Sequence, residues 1–270
     1  MGLDLKQLTC HNTVAVLGKL RPLTKDDFRR ARTLDIKKDL VDLYPGTGGP
    51  MESEKNKKLD RNINHVKPSL PWPSGVIPYT TSSGFSTNEY ASIAKAIAYI
   101  ESETCLEFQQ TNYYSKKPRI DIISKNLGGF CKAYKNYFGG GWTVELSPNS
   151  GCLKTRTIVH ELLHAGISFH TAQRKDRDKY VTIQRNNIRQ DKIANFDKCY
   201  DCPIYNKEYD CDSVMHYASD QMSMNRRDTI KAKNPRTCRL MPFSQWNVHE
   251  PVMSPLDIQR IKKMFCPHRG

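Results

Sequence analysis

Apolar positions along the chain change period several times, and each change marks an element. Ser86-Thr-Asn-Glu89 has the form of a capping box, and Ile93, Ala94, Ile97 and Ile100 follow at helical spacing. This predicts an amphipathic helix of about four turns, packed under a sheet. The stretch SLPWPSGVIPYTTSSGFS is rich in Pro and β-formers and reads as the first strand of a domain. Residues 105–108 (CLEF) and 120–123 (IDII) read as further strands, and Gly139-Gly-Gly141 reads as a turn into the strand WTVELS. TRTIVHELLHAG, after Cys152, predicts a second helix. From there to residue 253 the chain reads as loops. Ser254-Pro-Leu-Asp257 then opens a last helix, with Ser at N-cap, Pro at N1 and Asp at N3. Residues 1–61 differ: a weak helical pattern over 28–40, the break Tyr44-Pro-Gly-Thr-Gly-Gly-Pro50, and the polar run ESEKNKKLDR, which reads as an exposed linker.

Composition narrows the class. The chain has 270 residues, 38% of them hydrophobic, with 13 Tyr, 9 Phe and 3 Trp to fill a core. No run approaches the ~18 apolar residues of a membrane-spanning helix, so no membrane role is expected. The net charge of +14 is spread along the chain. A basic surface can attract nucleic acid, anionic glycans or acidic proteins, but no nucleic-acid-binding signature accompanies it. A soluble basic surface, with no nucleic acid partner, is the reading.

Cysteine says more. Eight of the 9 cysteines lie after residue 100: Cys105, Cys131, Cys152, Cys199, Cys202, Cys211, Cys238 and Cys266, with Cys10 alone before them. An even set of this kind suits disulfides in an oxidising compartment. The competing reading is a structural zinc site on Cys199, Cys202, Cys211 and Cys238, whose spacings match no standard zinc ribbon well. The start, MGLDLKQLTCHNTVAVLGKL, lacks a basic n-region, an apolar run and a cleavage site. A missing 5′ end is the expectation, with secretion inferred from the cysteines.

Chemistry concentrates at His160-Glu-Leu-Leu-His164. On a helix, residues i and i+4 share a face, so both imidazoles can reach one metal. Glu161 stands beside the first ligand, within reach of a metal-bound water. His170 follows six residues after His164, and three protein ligands with an open fourth position define a catalytic zinc site. The helix must end and turn sharply to bring His170 round, and Gly166 offers the backbone freedom. Downstream, Ser213-Val-Met215-His216-Tyr217 places a Met and a Tyr where metzincin peptidases use them. His11, His65, His249 and His268 have no ligand spacing.

TIVHELLHAGISFH, RKDRDKYV, YDCDSVMHY and the terminal SPLDIQRIKKMFC together resemble the astacin family of zinc endopeptidases, and WPSGVIPY resembles its first strand. The resemblance covers 62 to about 266. It implies an α+β fold of two lobes: a twisted mixed sheet with helices above a cleft, and a loop-rich lower lobe. It implies one zinc held by His160, His164 and His170, with Tyr217 as a displaceable further ligand that moves to the oxyanion. Glu161 becomes the general base, Met215 the floor turn, and His216 a packing or supporting residue. Protein or peptide substrates are implied, with the strand around 142–146 holding them at a sheet edge, and a monomer is expected. Cys131–Cys152 and Cys105–Cys266 match the family's two disulfides, while Cys199, Cys202, Cys211 and Cys238 allow three pairings. Residues 1–61 resemble a pro-segment ending at Arg61-Asn62, and 62–270 the peptidase domain.

The chain departs from the family in three places. Thr47 stands where the pro-segment's zinc-binding Asp belongs, so latency is expected to come from a segment lying across the cleft, or from another acid, Asp42 or Glu52. The Gly of the helix-ending turn comes one residue early, at Gly166. Thr171 replaces the Glu that meets the new N-terminus. The alternative function these allow is a catalytically impaired domain that binds protein or glycan.

Overall fold

The structure is a computed structural model that describes residues 21–32, 72, 74–112, 118–136, 141–165, 167–200, 202, 204, 207–246 and 248–266. In chain order the elements are α1 (Lys25–Ala31), β1 (Val76–Thr81), α2 (Thr87–Glu103), β2 (Glu107–Gln110), β3 (Ile120–Ser124), β4 (Cys131–Lys135), β5 (Trp142–Leu146), α3 (Thr155–His164), β6 (Val181–Ile183), β7 (Ile230–Ala232), α4 (Phe243–Trp246) and α5 (Pro255–Phe265). Short 3-10 turns fill much of the chain between α3 and β7.

The predicted capping box forms at α2, and the predicted cap of α5 is also a full box. Ser86 Oγ accepts from Glu89 N while Glu89 returns its carboxylate to Ser86 N, and Ser254 and Asp257 do the same at α5. The buried face of α2 carries Ile93, Ala94, Ile97 and Ile100, as its spacing predicts. Five strands form one sheet in the order β2-β1-β3-β5-β4. β1, β2, β3 and β5 run parallel, and β4 lies antiparallel to β5. Parallel strands flanked by helices are buried on both faces, and every residue of β5 is buried.

Two expectations change here. The strand expected to form the sheet edge is β5, which is interior. The edge on that side is β4, CKAYK, whose two lysines did not read as a strand although short, charged strands are what sheet edges tolerate. The helical pattern expected over 28–40 starts earlier, at Lys25, because Thr24 caps it in a box with Asp27; residues from 33 onward lie outside those described.

Two hydrophobic clusters make up the core. The larger joins the sheet to α2, α3 and α5 and includes Val214 and Met215. The smaller packs Ala172, Val181, Ile188, Phe196, Tyr217, Met222 and Ile230. Met215 and Tyr217 therefore belong to different clusters, and the turn between them lies where the two meet. Four disulfides join Cys105–Cys266, Cys131–Cys152, Cys199–Cys202 and Cys211–Cys238. The first two are the pairings the resemblance implies. The other four cysteines are two disulfides, not a zinc site. Cys10, Thr47 and the Arg61-Asn62 bond lie outside the described residues. Among the described residues no helix is long and apolar enough to cross a membrane.

Candidate active site

The site is assembled by α3 and three turns that follow it. α3 is buried from Arg156 to His164, so His160 and His164 project from a helix held on all sides. The helix stops by tightening: Ala165 N–H donates to Leu162 O, and Ile167 and Ser168 N–H both donate to Leu163 O. The carbonyl of Ala165 would be orphaned there. The indole N–H of Trp72 caps it at 2.8 Å, from a residue far upstream. Gly166 lies outside the described residues. His170 returns to the helix through this turn, and Thr171 N–H then donates to Met215 O at 2.9 Å, which ties the third His to the turn beneath it.

The three imidazoles converge. The Nε2 atoms of His160, His164 and His170 lie 3.1, 2.9 and 3.2 Å from one another. Zn–N bonds of about 2.0–2.1 Å in a tetrahedral site set nitrogens roughly 3.3 Å apart, so the cluster matches a zinc ion in size. The three residues are the one group among those described whose ligand atoms could together hold a metal. Each opposite nitrogen is engaged: His160 Nδ1 with Val214 O at 2.7 Å, His164 Nδ1 with Ser168 O at 3.1 Å, and His170 Nδ1 with the Tyr217 hydroxyl at 3.1 Å. Partners of this kind fix ring and tautomer and leave Nε2 for a metal. Burial pushes all three His below their ordinary pKa, His160 to about 4, so they stand neutral and ready to ligate.

Glu161 is 1% exposed, and its Oε1 has no hydrogen-bond partner. Burial pushes its carboxyl up to about 8. A buried carboxylate without a partner is costly, and a nearby dication would reverse that cost. Tyr217 reaches the cluster from the His170 side. Its hydroxyl donates to Asn195 O at 3.2 Å and meets His170 on the Nδ1 edge, away from the Nε2 cluster. The phenol packs into the lower cluster beside Phe196. Met215 is fully buried under the site. His216 is buried too, held between Tyr217 O and the Tyr209 hydroxyl. His249 stands apart from the site's cluster; His11, His65 and His268 lie outside the described residues.

Sequence reasoning missed Trp72 and Asn195, since only a tertiary contact gives either a role.

Comparison with known proteins agrees with the geometry. The model of the Astacin peptidase family matches residues 64–266. The chain belongs to the astacin family. Its peptidases are zinc-dependent, and the three-His cluster could hold such an ion. The chain is similar to zinc metalloproteinase nas-8 of Steinernema carpocapsae, 33% identical over 73% of this chain and 45% of that protein. It is similar to the low choriolytic enzyme of Oryzias latipes, 32% identical over 73% of this chain and 69% of the other. Among solved structures it resembles high choriolytic enzyme 1, a hatching enzyme zinc-protease of the same fish, with a TM-score of 0.59, 33% identity, and 71% of this chain and 89% of that one covered. The chain spans about half the length of the first curated relatives it matches.

Proposed function

We propose that this chain is a zinc endopeptidase that hydrolyses internal peptide bonds of protein substrates, with zinc held by His160, His164 and His170. The observation that carries the reading is the convergence of three neutral Nε2 atoms, two of them from the helix that also carries the buried carboxylate of Glu161 with its unpartnered Oε1. Zinc bound there supplies a Lewis acid for the scissile carbonyl and lowers the pKa of a water. Glu161 takes the proton of the attacking water and passes it to the leaving amine. Its apolar surroundings suit both states, since burial favours the protonated form and a nearby positive charge the ionised one. Tyr217 donates to the oxyanion after its hydroxyl leaves Asn195 O and the His170 edge. An extended substrate lies along the free edge of β4, by main-chain pairing.

Residues 1–61 are proposed as a pro-segment, and 62–270 as the mature domain. The four disulfides support a secreted protein. The domain acts as a monomer, without nucleic acid or membrane as partner. The test is cleavage of casein or gelatin by the purified chain after processing at Arg61. Activity lost to a chelator and restored by zinc supports the reading. A zinc-loaded, processed chain that cuts neither substrate overturns it.

A further inference from the structure

The carboxylate of Asp257 has more partners than a helix cap requires. In a capping box the N3 side chain serves the N-cap backbone alone, and Asp257 does accept from Ser254 N–H at 3.2 Å. It also accepts from Ser213 Oγ at 2.7 Å, Val214 N–H at 2.8 Å and Arg260 Nη2 at 3.1 Å. The residue is 1% exposed. A buried carboxylate is stable only when its lone pairs are filled, and here half of the filling, from Ser213 and Val214, comes from the turn under the metal cluster.

That turn is held at both ends of one residue. Val214 gives its N–H to Asp257, and its C=O accepts Nδ1–H of His160 at 2.7 Å. Only the φ and ψ of Val214 separate the two contacts, and its side chain is fully buried. Ser213 reinforces the arrangement, since its Oγ donates to Asp257 and accepts from Met215 N–H at 3.0 Å. The far end of the same helix is locked by the Cys105–Cys266 disulfide. The carboxylate thus sits on an element secured at both ends, and the turn is tied to it.

We propose that Asp257 is a positioning residue for the metal site: it anchors Val214 so that the Val214 carbonyl fixes the ring of the first ligand, His160. The inference rests on the reading of His160 as a zinc ligand. Loss of a group that orients a metal-bound His costs about 10–100-fold in metal affinity. Asp257 acts one residue further out, so an effect at the lower end of that range follows, near tenfold.

The test is zinc transfer from the full chain to a chromophoric chelator, for wild type, Asp257→Asn, Ser213→Ala and Ser254→Ala, each well below its own Tm. Asp257→Asn keeps the shape but gives up acceptors, and should release zinc about tenfold faster. Ser213→Ala removes one of the bonds and should release it by a smaller factor. Ser254→Ala strips the same helix of its cap without touching Val214. It should lower the Tm of metal-free protein and leave zinc release within about twofold. Equal release from wild type, Asp257→Asn and Ser213→Ala would overturn the inference, as would equally faster release from Ser254→Ala, which would make the effect one of helix stability. Should Asp257→Asn fail to fold, Ser213→Ala against Ser254→Ala decides alone. A wild-type chain that binds no zinc would sink the ligand reading itself, and is told apart from the other outcomes by that first measurement.

Discussion

Glu161 and the three His were legible as single residues, because their chemistry is set by type and spacing. HExxH on a helix allows little freedom in where the side chains go. Glu161→Gln should keep fold and zinc but lose roughly 10²–10⁴ in kcat on a fluorogenic peptide, because an amide cannot take the water's proton. His164→Ala should instead lose the metal, read by zinc content of purified protein. What could not be read was the lower flank. Tyr217 points to Asn195 and the His170 edge because Phe196 and Met222 pack around it, a consequence of long-range packing that no local pattern carries. Asp210 is another such residue. Burial, and then the neighbouring charge of Asp257, push its carboxyl up to about 6. A raised folded pKa means the folded chain holds that proton more tightly than the unfolded one. The contribution of Asp210 to stability is therefore greatest at low pH and falls as pH rises from about 4 through about 6. Asp210→Asn should remove this loss. Its Tm should exceed that of wild type above pH 6 and approach it near pH 4, measured by thermal unfolding across that range.

At the scale of elements, signals that are local in sequence were readable and those that depend on a neighbour were not. α2 and α5 announce themselves by capping boxes, and the structure starts each at the residue its cap dictates. β4 was missed because an edge strand is free to carry charge: Lys132 and Tyr134 alternate with buried Cys131 and Ala133, and Lys135 closes the strand exposed, and so short and charged a stretch reads as loop. With β4 unread, the sheet edge falls by default on its neighbour β5. Glu89 shows how a cap can do more than start a helix. Its Oε2 accepts from Ser86 N–H, and its Oε1 accepts from Asn149 N–H at 2.7 Å, in the turn after β5. Asn149 has φ 53, a left-handed conformation that needs local support. Ser86→Ala should cost about 1 kcal/mol, the ordinary worth of a cap. Glu89→Ala removes the acceptor of both N–H groups and should cost more, about 2 kcal/mol. Urea unfolding of the two variants checks the order; equal losses would show that the Asn149 contact contributes nothing.

For the whole molecule, the two-lobed α+β organisation followed from the resemblance and from the fall-off in regular elements after α3, while the place of the N-terminal segment did not. Only a weak helical pattern over 28–40 stands out in residues 1–61, and it predicts no contact with the rest of the chain, yet 21–32 dock on the upper lobe. Arg21 N–H donates to Thr81 O at 3.1 Å, the Thr81 hydroxyl bonds Arg21 O, and the Arg21 guanidinium lies 3.7 Å over the ring of Tyr90. Leu23 and Ala31 are buried in the main cluster, and Phe28 packs against it. Asp27 is 1% exposed at the centre, taking both Arg21 nitrogens at 3.1 Å and the Thr24 N–H at 2.7 Å. Burial alone would raise its carboxyl, but the Arg21 and Thr24 bonds outweigh it and hold the pKa below the ordinary value. The dock therefore strengthens above about pH 4 and is lost as pH falls through the lower folded value. On the proposed reading of 1–61 as a pro-segment, this anchor sits on α2 and β1, and it fixes one end of the chain that continues toward Arg61. An anchored end raises the effective concentration of whatever follows at the cleft, which matters most if Thr47 is too weak a ligand to hold there unaided. Asp27→Ala should break the anchor, at a cost of at least about 1 kcal/mol, the worth of its cap. Trypsin should then cut at Arg29 and Arg30 faster than in wild type. The chain with Arg61 uncleaved should turn over a short fluorogenic peptide faster than the uncleaved wild type, while the two processed forms stay equal. Faster cutting at Arg29 without any rise in activity would place latency wholly in residues beyond the anchor.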